Sequence, residues 1–448
     1  MSLNRYDVVV IGSGPGGFTA AVRAAQIGAK VAIIEKSFIG GTCLNCGCIP
    51  TKFLWQSLKT KQKIQKSYEY GFKATLEPVV FENIVSRKDK NIVNIRKGME
   101  IILSSYNISV LNGSASFKDK NTLIVLSNEK NEESEICGDK IIIASGTKPS
   151  IIKNFIFDGN KIISSTDALN LREVPKNMLI IGGGVIGIEM ATIFAGFGCQ
   201  ITLAECADSL LPNENSEISE EVRKNLSRQG VEVVTACTNA LGNISRYEKV
   251  LIATGRTPNS NLGLNNPGIN IIGKGFIETN EFCQTNIDNV YAVGDIAGKN
   301  LLAYSAQNEG AAAAENAVKG NIVVVNNFVV PQVVFAMPQS SSVKVSDFSK
   351  YKNVIFGKFP FTANGRAFIE NERTGFVKCA VDKLTKKPLA FWIIGAHSDE
   401  IVNTASQILK SGIKHISRET MFHPSFSESL LNAYEDAFDK CTEIAAKK

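Results

Sequence analysis

The chain carries one strand, glycine turn, helix and strand design twice, and such a duplication predicts a pair of related α/β units. In the first copy the apolar run Val8–Ile11 enters Gly12-x-Gly14-x-x-Gly17, passes through a helix of small residues and ends in Val31-Ala-Ile-Ile-Glu35. In the second, Met178–Ile181 enters Gly182-x-Gly184-x-x-Gly187, and Ile201-Thr-Leu-Ala-Glu205 closes the unit. Each acid falls 23 residues after the first glycine of its turn, close to the ~20 expected of a carboxylate that meets an adenosine ribose. One copy alone could be a tight turn, and either acid a solvated strand end. Two copies, each complete, predict two dinucleotide sites.

Each copy is followed by an apolar strand with a small-residue turn, Ile141-Ile-Ile-Ala-Ser145-Gly146-Thr147 and Val250-Leu-Ile-Ala-Thr-Gly255-Arg256, which read as closing strands. From Val330 onward the pattern changes to strands and helices without a glycine fingerprint, and an α+β fold suits it.

With 448 residues, 44% hydrophobic and 21% charged, the chain is long enough for two to four domains and a large core. The net charge of +6 comes from dispersed lysines, so nucleic-acid binding gains little support. The first expected strand starts at Tyr6, which argues against a leader peptide. No apolar run approaches the ~20 residues of a membrane span. Ten cysteines without regular extracellular spacing suit a reducing cytoplasm, where a persistent pair is catalytic rather than structural.

Three of those cysteines cluster in Gly40-Gly-Thr-Cys43-Leu-Asn-Cys46-Gly-Cys48-Ile-Pro-Thr-Lys52, just past the first fingerprint. This segment resembles the Gly-Gly-Thr-Cys-x-x-x-x-Cys pattern of the flavin-dependent pyridine nucleotide-disulfide oxidoreductases, class I. Within them the Leu-Asn-x-Gly-Cys-Ile-Pro-Thr-Lys form looks most like the dihydrolipoyl dehydrogenases. Other stretches extend the likeness over nearly the whole chain: Thr285-Asn-Ile-Asp-Asn-Val-Tyr-Ala-Val-Gly-Asp295, Lys358-Phe-Pro-Phe-Thr-Ala-Asn-Gly-Arg-Ala367, Gly375-Phe-Val-Lys, Ile393-Ile-Gly-Ala and Phe422-His-Pro-Ser-Phe-Ser-Glu428.

The resemblance implies an α/β protein with two Rossmann-like dinucleotide-binding domains, for FAD and NAD, and a C-terminal α+β dimer-interface domain. The expected divisions are 1–148 with 265–327 for FAD, 149–264 for NAD, and 328–448 for dimerisation. It implies a redox disulfide in which Cys43 exchanges with substrate and Cys48 meets the flavin. An unbroken helix would hold those two α-carbons roughly 8–9 Å apart, beyond the ~7 Å reach of a disulfide, so the segment must bend; Gly47 and Pro50 permit that.

Carried over residue by residue, Gly12, Gly14, Gly17, Glu35, Lys52 and Ala115 would line the FAD site. Ser145, Gly146, Thr147, Asp295, Leu302 and Ala303 would complete it. Gly182, Gly184, Gly187, Glu189, Glu205 and Gly255 would serve NAD, with Glu189 also the expected partner of Lys52. Glu205 favours NAD over NADP, because it would repel a 2′-phosphate and the following Cys-Ala-Asp offers no arginine.

His423 and Glu428 match the family's His-Pro-x-x-Ser-Glu, so His423 is the expected acid-base and Glu428 its orienting carboxylate. The motif stands more than 370 residues from the cysteines, and in relatives it reaches the other subunit's disulfide, which implies a homodimer. Lipoyl domains of the 2-oxo-acid dehydrogenase complexes are the implied partners. His397 and His415 lack such a setting and read as surface residues.

Several features depart from the pattern. Cys46 adds Cys-x-x-Cys and Cys-x-Cys spacings, which raise a zinc or thioredoxin-like centre; zinc lacks a fourth ligand nearby in sequence, and a small buried side chain is the plainer reading. Only 22 residues separate Gly230 from Ala253, where relatives have a small antiparallel meander. Tyr304 replaces a common histidine, and Gln339 a usual glutamate. The rival readings are a reductase of another disulfide or of mercuric ion, and a degenerate homologue without catalysis.

Overall fold

The computed structural model describes residues 4–153, 155–237, 244–326, 329–346 and 348–445. It divides into two compact units, one of Met1–Ile156, Ser164–Glu173 and Gly255–Asn326, the other of Phe157–Ile163, Val174–Thr254 and Asn327–Lys448.

In the first unit the strands Asn4–Ile11, Val31–Glu35, Ser109–Phe117, Glu133–Ile143 and Val290–Ala292 make a parallel sheet, with Val9 opposite Ala32 on one side and Ile141 on the other. Val8, Val9, Val10, Ile33, Ile141 and Ile142 are all fully buried, as expected when a parallel sheet is covered on both faces. The strand Thr122–Ser127 runs antiparallel between Ser109–Phe117 and Glu133–Ile143, forming a meander. The helices Pro15–Gln26 and Ala303–Lys319 are rich in alanine and glycine, and they approach so closely that a Cβ on Gly310 would lie 2.2 Å from the carbonyl oxygen of Gly16.

The second unit holds two sheets. One is parallel, in the order Glu232–Val234, Gln200–Ala204, Asn177–Ile181, Lys249–Ile252, Ile162–Ile163. The meander of the first unit has no counterpart among its described residues; the shortened connection expected there includes 238–243, which lie outside them. The other sheet is antiparallel, in the order Gln332–Val334, Ser340–Lys344, Pro388–Gly395, Gly375–Asp382, Val354–Pro360. Helices Ser398–Ser411 and Glu428–Asp436 pack against it around Phe359, Phe361, Phe391, Ile393 and Leu430. No described helix is long and apolar enough to cross a membrane.

Candidate active site

The two glycine turns have matching geometry. Gly12 and Gly182 open them at φ 97° and 115°, in the left-handed region that glycine enters without steric cost. A Cβ on Gly17 would lie 1.9 Å from the oxygen of Gly12, and one on Gly187 would lie 1.9 Å from that of Gly182. Helix and strand can meet so tightly only without side chains there. Gly14 and Gly184 instead face open space, and each begins a helix that has no side-chain cap. Unpaired N–H groups, the positive end of a helix dipole and room in front of both suit a pyrophosphate, so each turn fits a dinucleotide.

Both acids are fastened to their turns. Glu35 Oε2 accepts from the N–H and hydroxyl of Ser13 at 2.8 and 2.6 Å, and Oε1 from the Ser37 N–H at 2.9 Å. Glu205 Oε2 accepts from the Gly183 N–H at 2.6 Å, while Oε1 accepts from the Ala207 N–H at 2.8 Å and the Cys206 thiol at 3.2 Å. Burial raises the Glu205 pKa, but the Ala207 and Gly183 donors and the thiol outweigh it and hold the carboxyl below its ordinary value.

The thiol segment begins at the first turn. Gly40 N–H donates to the Ser13 oxygen at 3.1 Å, and a Cβ on Gly41 would lie 2.7 Å from the Gly14 α-carbon. A short helix, Gly41–Cys46, breaks at Gly47 before the helix Cys48–Gln65 begins. Any Cβ on Gly47 would sit 2.9 Å from the Thr42 oxygen, so glycine permits the bend. The break brings Cys43 and Cys48 within hydrogen-bond reach of each other. Its hydrogen bond to Cys48 and then burial push the Cys43 thiol far above its ordinary pKa, against the pull of the Lys52 charge. Cys46 ends the short helix, half-buried. Among the described residues, no group of three or more histidine, cysteine or acidic side chains is placed to hold a metal.

Asn45 and Arg96 were not singled out from the sequence. The Asn45 amide donates to the oxygens of Gly41 and Ile39 at 2.9 and 3.1 Å and accepts from Arg96 at 2.7 Å. Arg96 also covers the Phe38 ring at 3.9 Å, so this pair secures the turn before Cys43.

Around the remaining flavin candidates, Thr147 donates to Asp295 Oδ2 at 2.7 Å and accepts from Arg256 Nε at 2.6 Å. The strands Thr147–Pro149 and Arg256–Pro258 pair, and Ser150 donates to the oxygen of Gly255, so Gly255 lies with Thr147 in the first unit. Ser145 donates to the Asn259 oxygen at 3.0 Å, and Gly146 stands at φ 65°. Ala115 is buried on Ser109–Phe117. Leu302 precedes the uncapped start of Ala303–Lys319. In that helix's first turn, burial and then the charge of Cys48 push the Tyr304 hydroxyl up to about 12, so it stays protonated.

In the second unit Glu189 is buried on the helix Val185–Gly196 and accepts from the Phe335 N–H at 3.1 Å. His423 Nδ1 is 2.8 Å from Glu428 Oε1, and Glu428 Oε2 accepts from the Ser425 N–H at 2.7 Å. The imidazole is 77% exposed. Asn364 anchors the loop from below, donating to the Ser425 oxygen at 3.0 Å and Ser429 Oγ at 3.2 Å.

Two dinucleotide turns, a dithiol against the first of them and a histidine-carboxylate pair define a redox flavoprotein class. Residues 6–310 match the family described as pyridine nucleotide-disulphide oxidoreductase, and residues 330–434 match its dimerisation domain. The chain belongs to this family, whose members use FAD and a nicotinamide dinucleotide, and it has the family's FAD- and NAD-binding domains and C-terminal dimerisation domain. It is 35% identical to the dihydrolipoyl dehydrogenase of Geobacillus stearothermophilus over 98% of both chains. A dihydrolipoyl dehydrogenase of Bacillus subtilis is 33% identical over 95% of this chain and 96% of that one. Among solved structures, the Cu(II) complex of the HOCl-induced flavoprotein disulfide reductase RclA of Escherichia coli superposes with a TM-score of 0.86. That chain is 29% identical, over 97% of this chain and 99% of its own. The protein is therefore a flavin disulfide oxidoreductase.

Proposed function

We propose that the protein is a homodimeric, cytoplasmic dihydrolipoyl dehydrogenase that oxidises protein-bound dihydrolipoamide and reduces NAD+ to NADH. The observation that carries this reading is the 35% identity to the Geobacillus enzyme over 98% of both chains. The joined thiols and the His423–Glu428 contact support it. In this reading residues 1–148 and 265–327 hold FAD, 149–264 hold NAD and 328–448 join two subunits.

When bound, FAD supplies a two-electron relay from dithiol to nicotinamide. Gly12, Gly14 and Gly17 take its pyrophosphate and Glu35 its ribose, while Lys52, Ala115, Ser145, Gly146, Thr147, Asp295, Leu302 and Ala303 line the rest of the site. Gly182, Gly184, Gly187, Glu189, Glu205 and Gly255 serve NAD, and Glu205 accepts from its ribose diol.

His423 takes a proton from one substrate thiol, and Glu428 stabilises the imidazolium that forms. The substrate thiolate attacks the Cys43 sulfur of the oxidised pair, and Cys48 leaves with the electron pair. The second substrate thiol then displaces Cys43, so lipoamide departs as a disulfide and the enzyme keeps two electrons for NAD+. In the dithiol form Cys43 holds its proton toward Cys48, which suits Cys48 as the thiolate on the flavin side.

The likeness to RclA favours one second reading, a reductase that draws electrons from the nicotinamide toward another acceptor. Purified FAD-loaded protein should reduce NAD+ with dihydrolipoamide in steady state. Rapid NADH oxidation with a different disulfide, together with no turnover of dihydrolipoamide, would select the second reading.

A further inference from the structure

His397 belongs to none of the motifs that pointed to the redox centre, yet the fold brings it against the loop that carries the candidate base. It stands at φ 60°, at the N-terminus of the helix Ser398–Ser411. Its Nε2 is 2.7 Å from Glu370 Oε2, and Glu370 Oε1 accepts from Arg366 Nε at 2.6 Å. Arg366 thus fixes the carboxylate that fixes the imidazole.

The other side of the matter is Phe426, whose ring centre lies 4.8 Å from that of His397 and 5.3 Å from that of Phe361. Phe361 is fully buried, and its position requires Gly395, where a Cβ would come within 2.3 Å of the ring. Phe426 is the middle of the loop between His423 and Glu428. Its neighbour Ser425 is bound through the N–H by Glu428 and through the oxygen by Asn364, and the Phe426 oxygen accepts from the Ser429 N–H at 3.1 Å. Since the His423 imidazole is 77% exposed, its aim depends on Glu428 and on the backbone beneath both.

We propose that His397 is a positioning residue for the dithiol half-reaction: tethered by Glu370, its ring braces Phe426 and keeps His423 and Glu428 in register. This rests on the assignment of His423 as the base. A loop free to shift would lengthen the His423–Glu428 contact, and a small misplacement of a reacting group is costly in rate.

The test is anaerobic rapid mixing of the FAD-loaded protein with dihydrolipoamide alone and with NADH alone. His397→Ala is expected to slow reduction by the dithiol about tenfold and leave reduction by NADH unchanged. His397→Phe, which keeps a ring against Phe426, should recover most of the rate. Should His397→Ala fail to load FAD, Glu370→Gln cuts the tether and should give the same selective, partial loss. Equal slowing with dithiol and NADH, or an unchanged dithiol rate while His423→Gln is slow, would overturn the brace. If His423→Gln keeps the parent's dithiol rate, the base assignment itself fails and the proposal falls with it.

Discussion

Glu205 accepts the backbone N–H of Gly183 at 2.6 Å, the same place in its unit where Glu35 accepts that of Ser13 at 2.8 Å. One carboxylate therefore steadies a glycine turn and, in the proposed reading, also presents its charge to the nucleotide. Glu205→Gln should weaken NADH binding about tenfold, since a hydrogen bond to a charged group contributes ~1.5–3 kcal/mol. NADPH affinity should not fall in parallel. Fluorescence titration with both nucleotides checks this, and equal weakening would remove Glu205 from the specificity argument.

The same carboxyl should mark the acid limb of stability. Its folded pKa is held below the ordinary value, in spite of burial, by the Ala207, Gly183 and Cys206 donors. A depressed carboxyl contributes stability that is complete above the unfolded value of ~4.3 and is lost as pH falls through the lower folded value. Thermal melts of the parent and Glu205→Gln should differ at neutral pH and converge in that acid range. A difference that persists unchanged into strong acid would assign the effect to packing.

Cys43 is hydrogen-bonded to Cys48, whereas Cys46 ends the preceding helix half-buried. Cys48→Ser should keep FAD yet lose the long-wavelength thiolate-to-flavin absorption on two-electron reduction. Cys46→Ser should change little. Loss of that absorption in Cys46→Ser with Cys48→Ser unaffected would reverse the assignment.

The exposed His423 suits a site completed across a two-fold axis. His423→Gln should lower turnover by at least ~100-fold, as expected for a general acid-base, with dimer and flavin spectrum retained, and Glu428→Gln should be milder. Mixing Cys48→Ser with His423→Gln subunits should restore some activity through hybrid dimers with one intact site. Verified subunit exchange without recovery would place both groups' function within one chain.

The nucleotide turns were legible because their demands are local. A left-handed φ at Gly12 and the near contact of Gly17 with the Gly12 oxygen arise within six residues, so one short pattern records them. Gly47 was legible for the same reason, since the break it permits lies between the two cysteines. The supports of the site were not. Asn364 reaches Ser425 across 61 residues, Arg96 reaches Asn45 across 51, and Glu370 reaches His397 across 27. Each is a single polar side chain whose partner is set by sheet order and helix packing, and neither leaves a period in the sequence. His397 therefore reads as a surface residue in the sequence, although its ring stands against Phe426 in the loop between His423 and Glu428.

The unequal connections of the two units predict unequal half-reactions. In the first unit the strand that closes the sheet is reached through the meander Ser109–Phe117, Thr122–Ser127, Glu133–Ile143. In the second, among described residues, Glu232–Val234 is followed only by the turn Ile244–Arg246 before Lys249–Ile252. The glycine turn and Glu205 are in place, so NAD+ should bind measurably. With less structure packed beneath it, the nicotinamide should be held less firmly, and small displacements of a reacting ring are costly. Dihydrolipoamide should therefore reduce the flavin at an ordinary rate, while reoxidation by NAD+ should be the slower step. Anaerobic rapid mixing separates the two. Fast reoxidation at low NAD+ beside sluggish reduction by the dithiol would show that the short connection is no handicap, and would move the search for a defect to the thiol side.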